Sequence, residues 1–219
     1  MTIPEQKLRS LVAGAVYHDG LNVLGPMRHE FAAYPHDMWL YLLAAEWQRI
    51  GQEEPFVGRT GILGDELGSA VIAARLVHDV MQLCFLMERQ YAPYPKWFGS
   101  AFGQLNCASR LKPVLERVLR STSWQEREQH LCSIYETVAA MHNDLRITEP
   151  VPTRVSQFHN RPFLVIKGKT IATAIWDAIQ DPEVRALPYG VGKIDQYVNS
   201  TDVLSHTERY RKLGVLYTG

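Results

Sequence analysis

One stretch of sequence decides the fold, namely residues 65–95, DELGSAVIAARLVHDVMQLCFLMERQYAPYP. Asp65 is a residue type that caps the N-terminus of a helix, whereas Pro93 and Pro95 cannot continue one. The residues between these limits are apolar on almost every face, which predicts a long buried helix that ends near Tyr91. A helix of this kind lies at the centre of a helical domain.

Four polar residues interrupt this apolar stretch, and they are Arg75, His78, Asp79 and Gln82. A membrane-spanning helix would have to hold all four within the bilayer, at a high cost in free energy. We therefore predict a buried helix of a soluble protein, with no membrane partner.

Hydrophobic periodicity predicts further helices on both sides of the central one. They lie before it at residues 5–12, 23–33 and 36–54, and after it at 96–105, 110–120 and 124–145. Residues 58–64 contain three glycines and are expected to bend. Beyond residue 148, prolines define an extended connector, followed by a short strand at 163–166 and helices at 170–180 and near 207–216.

These elements predict the fold class. It is mainly α: a multi-helix bundle over residues 1–147, with a small C-terminal α+β appendage over residues 148–219 that packs back on it. Because the appendage is small, we expect both parts to form the same folded unit.

The composition fits a folded domain and limits the classes of partner. Of the 219 residues, 46% are hydrophobic, and 23 Lys and Arg balance 23 Asp and Glu. A net charge of zero argues against a dedicated nucleic-acid-binding protein, which shows a basic excess. The first ten residues lack the apolar core of a signal peptide, and the three cysteines show no paired spacing. We therefore expect a cytoplasmic protein without a metal or other cofactor.

The polar residues of the central helix form a stripe. Arg75, Asp79 and Gln82 follow one another at spacings of four and three, which places them on one side of the helix. On the preceding helix, Glu46 and Glu53 fall on the apolar face, where a carboxylate needs a partner or shifts its pKa. Two interpretations stay open. Either these charges form structural ion pairs, the glutamates with a neighbouring helix and Arg75 with Asp79, or the stripe faces both glutamates and lines a polar pocket inside the bundle.

The pocket interpretation assigns roles by chemistry. Carboxylates can act as acid and base groups, and the predicted catalytic residues are Glu46, Glu53 and Asp79. Polar and cationic groups nearby can bind substrate, and the predicted substrate-binding residues are Arg59, Asp65, Glu66, Ser69, Arg75, Gln82, Lys96 and Trp97. His142 also lies on an apolar face. Such a histidine is more often a core residue, and a substrate contact is the second interpretation.

Four segments carry a resemblance to a known family. They are WQRIGQEEPFVGRTGILGDELGS from Trp47, ARLVHDVMQLCFLMERQYAPYPKWFGSAF from Ala74, HNRPFLVI from His159 and DQYVNSTDVL from Asp195. Together they resemble the family called domain of unknown function 4037, over nearly the whole chain. The family's recurrent polar residues match here at Gln52, Glu53, Glu54, Arg59, Asp65, Glu66, Ser69, Arg75, Asp79, Lys96 and Trp97. The resemblance adds Asp195 and Asp202, in the tail motif, to the predicted substrate-binding residues.

The resemblance also implies something that this sequence lacks. In that family the helical region usually follows a nucleotidyltransferase-like domain, which carries a Gly-Ser pair and an Asp-x-Asp metal site. Here Gly99-Ser100 is followed by AFGQL, and neither Asp195 nor Asp202 belongs to an Asp-x-Asp pair. We therefore expect no metal-dependent transfer by this chain alone.

A charged pocket without a transfer module suggests a divided enzyme. The expected function is that of a substrate-binding and catalytic subunit in a two-chain small-molecule, biosynthetic enzyme. The substrate would be anionic, with or without an amine group, and the partners would be that substrate and a second protein chain. The alternatives are an independent metal-free enzyme and a non-catalytic binding remnant of a nucleotidyltransferase-like protein. A fourth hypothesis is an RNA-cleaving bundle with an Arg-x4–6-His motif. Arg154 and His159 fit the spacing of this motif, but they lie in the connector and not at the start of a helix.

Overall fold

The computed structural model describes residues 1–218, and the apolar stretch of the sequence forms its central helix, α5 (Glu66–Met87). Before it come α1 (Glu5–Val12), α2 (Leu24–Glu30), α3 (His36–Glu53) and α4 (Phe56–Ile62). After it come α6 (Pro95–Phe102), α7 (Ala108–Arg120) and α8 (Trp124–Asp144). α5 contacts α3, α4, α7 and α8, so it lies at the centre of the bundle.

The C-terminal part is small and mixed. A two-residue strand β1 (Ser156–Gln157) pairs antiparallel with β2 (Leu164–Val165). The helices that follow are α9 (Gly168–Ala178), α10 (Pro182–Arg185), α11 (Thr201–Ser205) and α12 (Thr207–Arg211), with 3-10 turns at Ile194–Gln196 and Lys212–Tyr217. The mainly α prediction, a multi-helix bundle with a small C-terminal appendage, is confirmed.

The central helix begins as its sequence predicts. The Asp65 carboxylate accepts a hydrogen bond from the backbone N–H of Gly68 at 2.7 Å, which satisfies a donor that the first turn leaves free. The helix ends at Met87, before the expected Tyr91, and Arg89 then adopts a left-handed conformation with φ 55°. By length and composition α5 could cross a membrane, but most of its apolar window is buried inside this fold.

The bend predicted for residues 58–64 is found only at the end of this stretch, at Leu63 and Gly64. Most of this stretch lies in α4, and only Gly64 has a positive φ, 80°. Gly58 and Gly61, inside α4, serve close packing instead. A Cβ at Gly58 would lie 2.7 Å from Cβ of Phe163, and one at Gly61 would lie 2.1 Å from Cγ of Trp124. Both distances are too short for a carbon atom, so α4 depends on glycine to approach Phe163, which precedes β2, and α8.

The C-terminal part packs on the bundle through a close crossing of α3 and α9. A Cβ at Gly51 would lie 2.4 Å from the backbone nitrogen of Lys169. Beside this crossing, the buried Glu54 carboxylate accepts backbone hydrogen bonds from Ile166 at 2.6 Å and Gly168 at 3.0 Å. These bonds join the end of α3 to the start of α9.

Two more predicted helices, besides the central one and the one expected at residues 96–105, are shorter in the structure. The one expected at residues 23–33 is α2, which ends at Glu30, and the one expected near 207–216 ends at Arg211 and continues as a 3-10 turn. Residues 13–33 surround α2 and form the segment that we call the arm. α2 itself buries no residue. The arm instead exposes seven large apolar side chains, namely Val16, Tyr17, Leu21, Val23, Leu24, Met27 and Phe31.

Candidate functional site

The polar stripe of α5 faces the acidic residues of α3. Arg75 forms an ion pair with Glu53, and Arg49 of α3 donates from Nε to Oδ2 of Asp79 at 2.9 Å. Within residues 1–218 these ion pairs therefore join two helices, and Arg75 does not pair with Asp79. Arg49 also donates from Nη1 to the backbone oxygen of Gln196 at 2.8 Å, which fastens the C-terminal segment to this layer.

Glu46 is the most deeply buried carboxyl group of this layer. Its side chain is wholly inaccessible, and Gln196 donates from Nε2 to its Oε2 at 2.5 Å, while Oε1 has no partner. Burial, together with the nearby charge of Asp79, raises the pKa of Glu46 to about 8. At neutral pH Glu46 is therefore mostly a neutral carboxylic acid, which can hold or release a proton.

A second polar layer lies beside the first. Lys193 is buried, and its ammonium group lies 2.7 Å from Oε2 of Glu5 and donates to Oε1 of Gln82 at 3.1 Å. Asp195 accepts the backbone N–H of Glu5 at 3.1 Å through its Oδ2. Burial raises the pKa of Asp195, although the charge of Lys193 opposes this shift. This layer brings together residues from α1, α5 and the C-terminal segment.

The second layer borders a cavity. The cavity has a volume of about 270 Å³, and its walls come from α1, α5, residues 93–98 and residues 195–205. Proline, aromatic and aliphatic side chains make much of the wall, and Gln82 and Asp195 are polar groups within it. Small-molecule sites commonly combine an apolar wall with a few converging polar groups. Both of these residues belong to the substrate-binding set predicted from the sequence.

The predicted catalytic residues do not line this cavity. Glu46, Glu53 and Asp79 lie in the α3–α5 layer, as does Arg75. The carboxyl groups of Glu46 and Glu53 each keep one buried oxygen without a partner. The structure therefore separates the predicted pocket into an ionic layer between two helices and an adjacent open cavity.

Several predicted substrate-binding residues lie elsewhere. Glu66 pairs with the buried Arg127 at 2.5 Å, and Ser69 accepts from the same guanidinium at 3.2 Å. Asp65 caps α5, as described above. The remaining cations stack on aromatic rings: Arg59 lies 5.4 Å from the ring of Phe56, and Lys96 lies 5.1 Å from that of Trp97. None of these residues lines the cavity.

His142 and Asp202 do not line the cavity either. His142 is buried, its Nε2 lies 3.0 Å from the hydroxyl of Thr148, and burial lowers its pKa to about 4. It is therefore a neutral residue of the core, as the first interpretation of its position expects. Asp202 is exposed in the first turn of α11.

Sequence reasoning missed Glu5, Arg49, Lys193 and Gln196 as members of the charged layers. Arg49 carries a local signal, because it lies three residues after Glu46 and four before Glu53 on the same helix. Lys193 and Gln196 carry none, since their partners lie more than 100 residues away along the chain.

Comparison with known proteins adds one finding. Residues 1–98 match the model of a family described as a domain of unknown function (DUF4037). The match confirms the resemblance over this part of the chain, which includes α1 to α5 and therefore Glu46, Glu53, Asp79 and Gln82. The segments that begin at His159 and Asp195 lie outside it. Neither the curated proteins nor the solved structures give a match.

Proposed function

We propose that this chain is the substrate-binding subunit of a two-chain, cytoplasmic small-molecule enzyme, and that it binds its substrate in the cavity between α1, α5 and residues 195–205. The observation that carries the proposal is the convergence of Gln82 and Asp195 on a largely apolar cavity of about 270 Å³. The two residues are far apart in sequence, but the buried pair of Lys193 and Glu5 links them. Lys193 donates to Gln82, and the backbone N–H of Glu5 donates to Asp195.

The hydrogen bonds already present indicate which groups a ligand would meet. Oε1 of Gln82 accepts a hydrogen bond from Lys193, so the amide N–H groups of Gln82 remain as donors for a ligand. Oδ2 of Asp195 accepts a hydrogen bond from the backbone N–H of Glu5, so Oδ1 remains as an acceptor for a ligand. A ligand amine would therefore bind Asp195, a carbonyl or carboxylate would bind Gln82, and Lys7 on the cavity wall would favour an anionic group. The proposed substrate is a small amine-bearing molecule with an anionic group and an apolar body.

The exposed apolar side chains of the arm support the proposal that a second protein chain binds here. Its seven exposed large apolar side chains lie within residues 16–31, and apolar surface of this kind often marks a protein–protein interaction site. We propose that a protein partner covers the arm.

A fragment screen tests the cavity. Wild-type protein would be screened by ligand-observed NMR against small amines and amino acids, beside a Ser205→Trp variant that fills the cavity. Ser205 lines the cavity, whereas Ser133 is exposed on α8, so Ser133→Trp is the matched control. We expect hits with wild type and Ser133→Trp that disappear with Ser205→Trp. Hits that persist in Ser205→Trp, or none with the wild type, would refute the proposed site.

Affinity purification from the native host tests the partner. We expect a second chain at fixed stoichiometry, lost when Leu21→Asp places a charge in the arm. The control is Leu119→Asp, because Leu119 is exposed on α7, away from the arm in sequence. Recovery of the chain alone, or equal capture by both variants, would refute this part of the proposal and leave the cavity untouched.

A further inference from the structure

His78 lines the same cavity, and the carboxylate of Asp79 lies beside its imidazole, as in many general bases. We propose that His78 accepts a proton from the ligand in this cavity, and that the neighbouring Asp79 is its positioning residue. The inference rests on the proposed function, because it names the residue that would act on a bound substrate. Sequence reasoning placed Asp79 among the catalytic residues and noted His78 only as a polar residue that interrupts the apolar helix.

The geometry supports an Asp–His pair. Nδ1 of His78 lies 3.4 Å from Oδ1 of Asp79, and the ring of His78 lies 4.9 Å from that of Phe98, at an interplanar angle of 32°. His78 and Phe98 both line the cavity, and the His78 side chain is 49% exposed. The imidazole is thus half exposed at the wall of the cavity and packs against an aromatic ring.

Asp79 is well held for a positioning role. Its side chain is 3% exposed, and its second oxygen, Oδ2, accepts the hydrogen bond from Nε of Arg49 at 2.9 Å. The carboxylate therefore has one oxygen fixed by Arg49 and the other turned toward His78. The 3.4 Å separation is long for a hydrogen bond, but such contacts are often long in enzymes without substrate and shorten when it binds.

A carboxylate beside Nδ1 determines where the proton of a neutral imidazole resides. It favours the tautomer with hydrogen on Nδ1, which leaves the lone pair on Nε2. In the proposed step, Nε2 takes a proton from an O–H or N–H group of the ligand, and the electron pair of that bond stays on the ligand atom. His78 becomes an imidazolium, whose charge Asp79 stabilises. The other charged residues of the cavity wall are Lys7 and Asp195.

The tautomer of His78 can be measured without a ligand, so the test does not depend on the proposed substrate. Protein labelled with ¹⁵N at its histidine side chains would be studied by NMR at a pH where the rings are neutral, with His78→Gln to assign the signals. We expect His78 to carry its proton on Nδ1, unlike the solvent-exposed His36. In Asp79→Ala the Nδ1–H form should fall to the proportion found for His36.

Arg49→Gln is the matched control, because it removes a partner of Asp79 but keeps the carboxylate beside His78. We expect this variant to preserve the His78 tautomer. A wild-type His78 with the same tautomer ratio as His36 would overturn the inference, as would an unchanged ratio in a folded Asp79→Ala. If Asp79→Ala does not fold, the comparison between His78 and His36 in the wild type decides alone.

Discussion

The ammonium group of Lys193 donates a hydrogen bond to Oε1 of Gln82 at 3.1 Å and lies 2.7 Å from Oε2 of Glu5. Lys193 and Glu5 are each 1% exposed, so the ion pair is shielded from water. It joins α5 to α1 and to the segment that carries Asp195. Because these elements make walls of the cavity, the shape of the cavity depends on this buried pair.

Removal of one partner of this pair should destabilise the protein strongly. Lys193→Met leaves the Glu5 carboxylate buried without a counter-charge, and a loss of this kind costs roughly 3–5 kcal/mol. The double variant Glu5→Leu with Lys193→Met should recover most of that loss. Urea unfolding measures both effects. As a control, Arg120→Gln breaks an exposed ion pair with Glu116 and should cost less than about 1 kcal/mol. Equal losses for Lys193→Met and Arg120→Gln would contradict the account.

The crossing of α3 and α9 should tolerate no side chain at Gly168. A Cβ there would lie 2.8 Å from the backbone oxygen of Trp47 and 2.9 Å from the backbone nitrogen of Gly51. Backbone atoms cannot turn away, so Gly168→Ala should destabilise the fold by roughly 1–3 kcal/mol. A Cβ at Gly99, within α6, would meet no atom within 4 Å. Gly99→Ala should therefore stabilise the helix by about 0.5–1 kcal/mol. Thermal or urea unfolding compares the two, and the same sign for both would refute this explanation.

Helices with strong local signals could be predicted from the sequence. α1 was expected over residues 5–12 and is found there, and α5 begins after its Asp65 cap, because caps and periodicity are local properties. The glycines of α4 show where local reasoning fails. Their sequence suggests a bend, but their role is set by Phe163 and Trp124, which are distant in sequence and come close only in the fold.

The candidate site, too, could be predicted from the sequence only in part. The placement of Glu46 and Glu53 on one face of α3, and of the polar stripe on one side of α5, could be predicted because both follow from helical spacing. The cavity could not be located, since it needs α1 and residues 195–205 beside α5. Asp195 entered the predicted site only through the family resemblance, and the family match ends before it.

Glu46 should make the protein less stable as the pH rises. Its folded pKa, about 8, lies above its ordinary value of 4.5, so the folded state binds more protons than the unfolded state between these values. The stability that the protonated group provides is complete below about pH 4.5 and is lost as the pH rises through about 8. Glu46→Gln keeps the neutral form, so its advantage over wild type should grow with pH, on the order of 2–4 kcal/mol.

Urea unfolding of both proteins across this pH range measures the effect. Glu30→Gln is the control, because Glu30 is exposed on α2. A constant difference between Glu46→Gln and wild type at every pH would contradict the assignment.

His142 should have the opposite effect to Glu46: it should make the protein less stable as the pH falls. Burial lowers its pKa from 6.5 to about 4, so the unfolded state binds more protons between these values and stability falls as the pH falls. His142→Gln keeps a polar partner for Thr148 but does not titrate. The variant should therefore lose about 3 kcal/mol less than wild type on acidification across this window. His36→Gln, at an exposed position, serves as the control, and an acid sensitivity identical to wild type in His142→Gln would refute the prediction.

The central claim is that Asp195 binds a small amine in the cavity. Its most direct test is the dissociation constant of the tightest amine fragment for wild type, Asp195→Asn and Asp202→Asn, measured by NMR titration. Asp202 is the matched control, since it is exposed and does not line the cavity. A charge-assisted hydrogen bond contributes roughly 1.5–3 kcal/mol, so Asp195→Asn should weaken binding by about 10- to 100-fold. Asp202→Asn should bind as wild type does. Equal affinity for all three proteins would contradict the account.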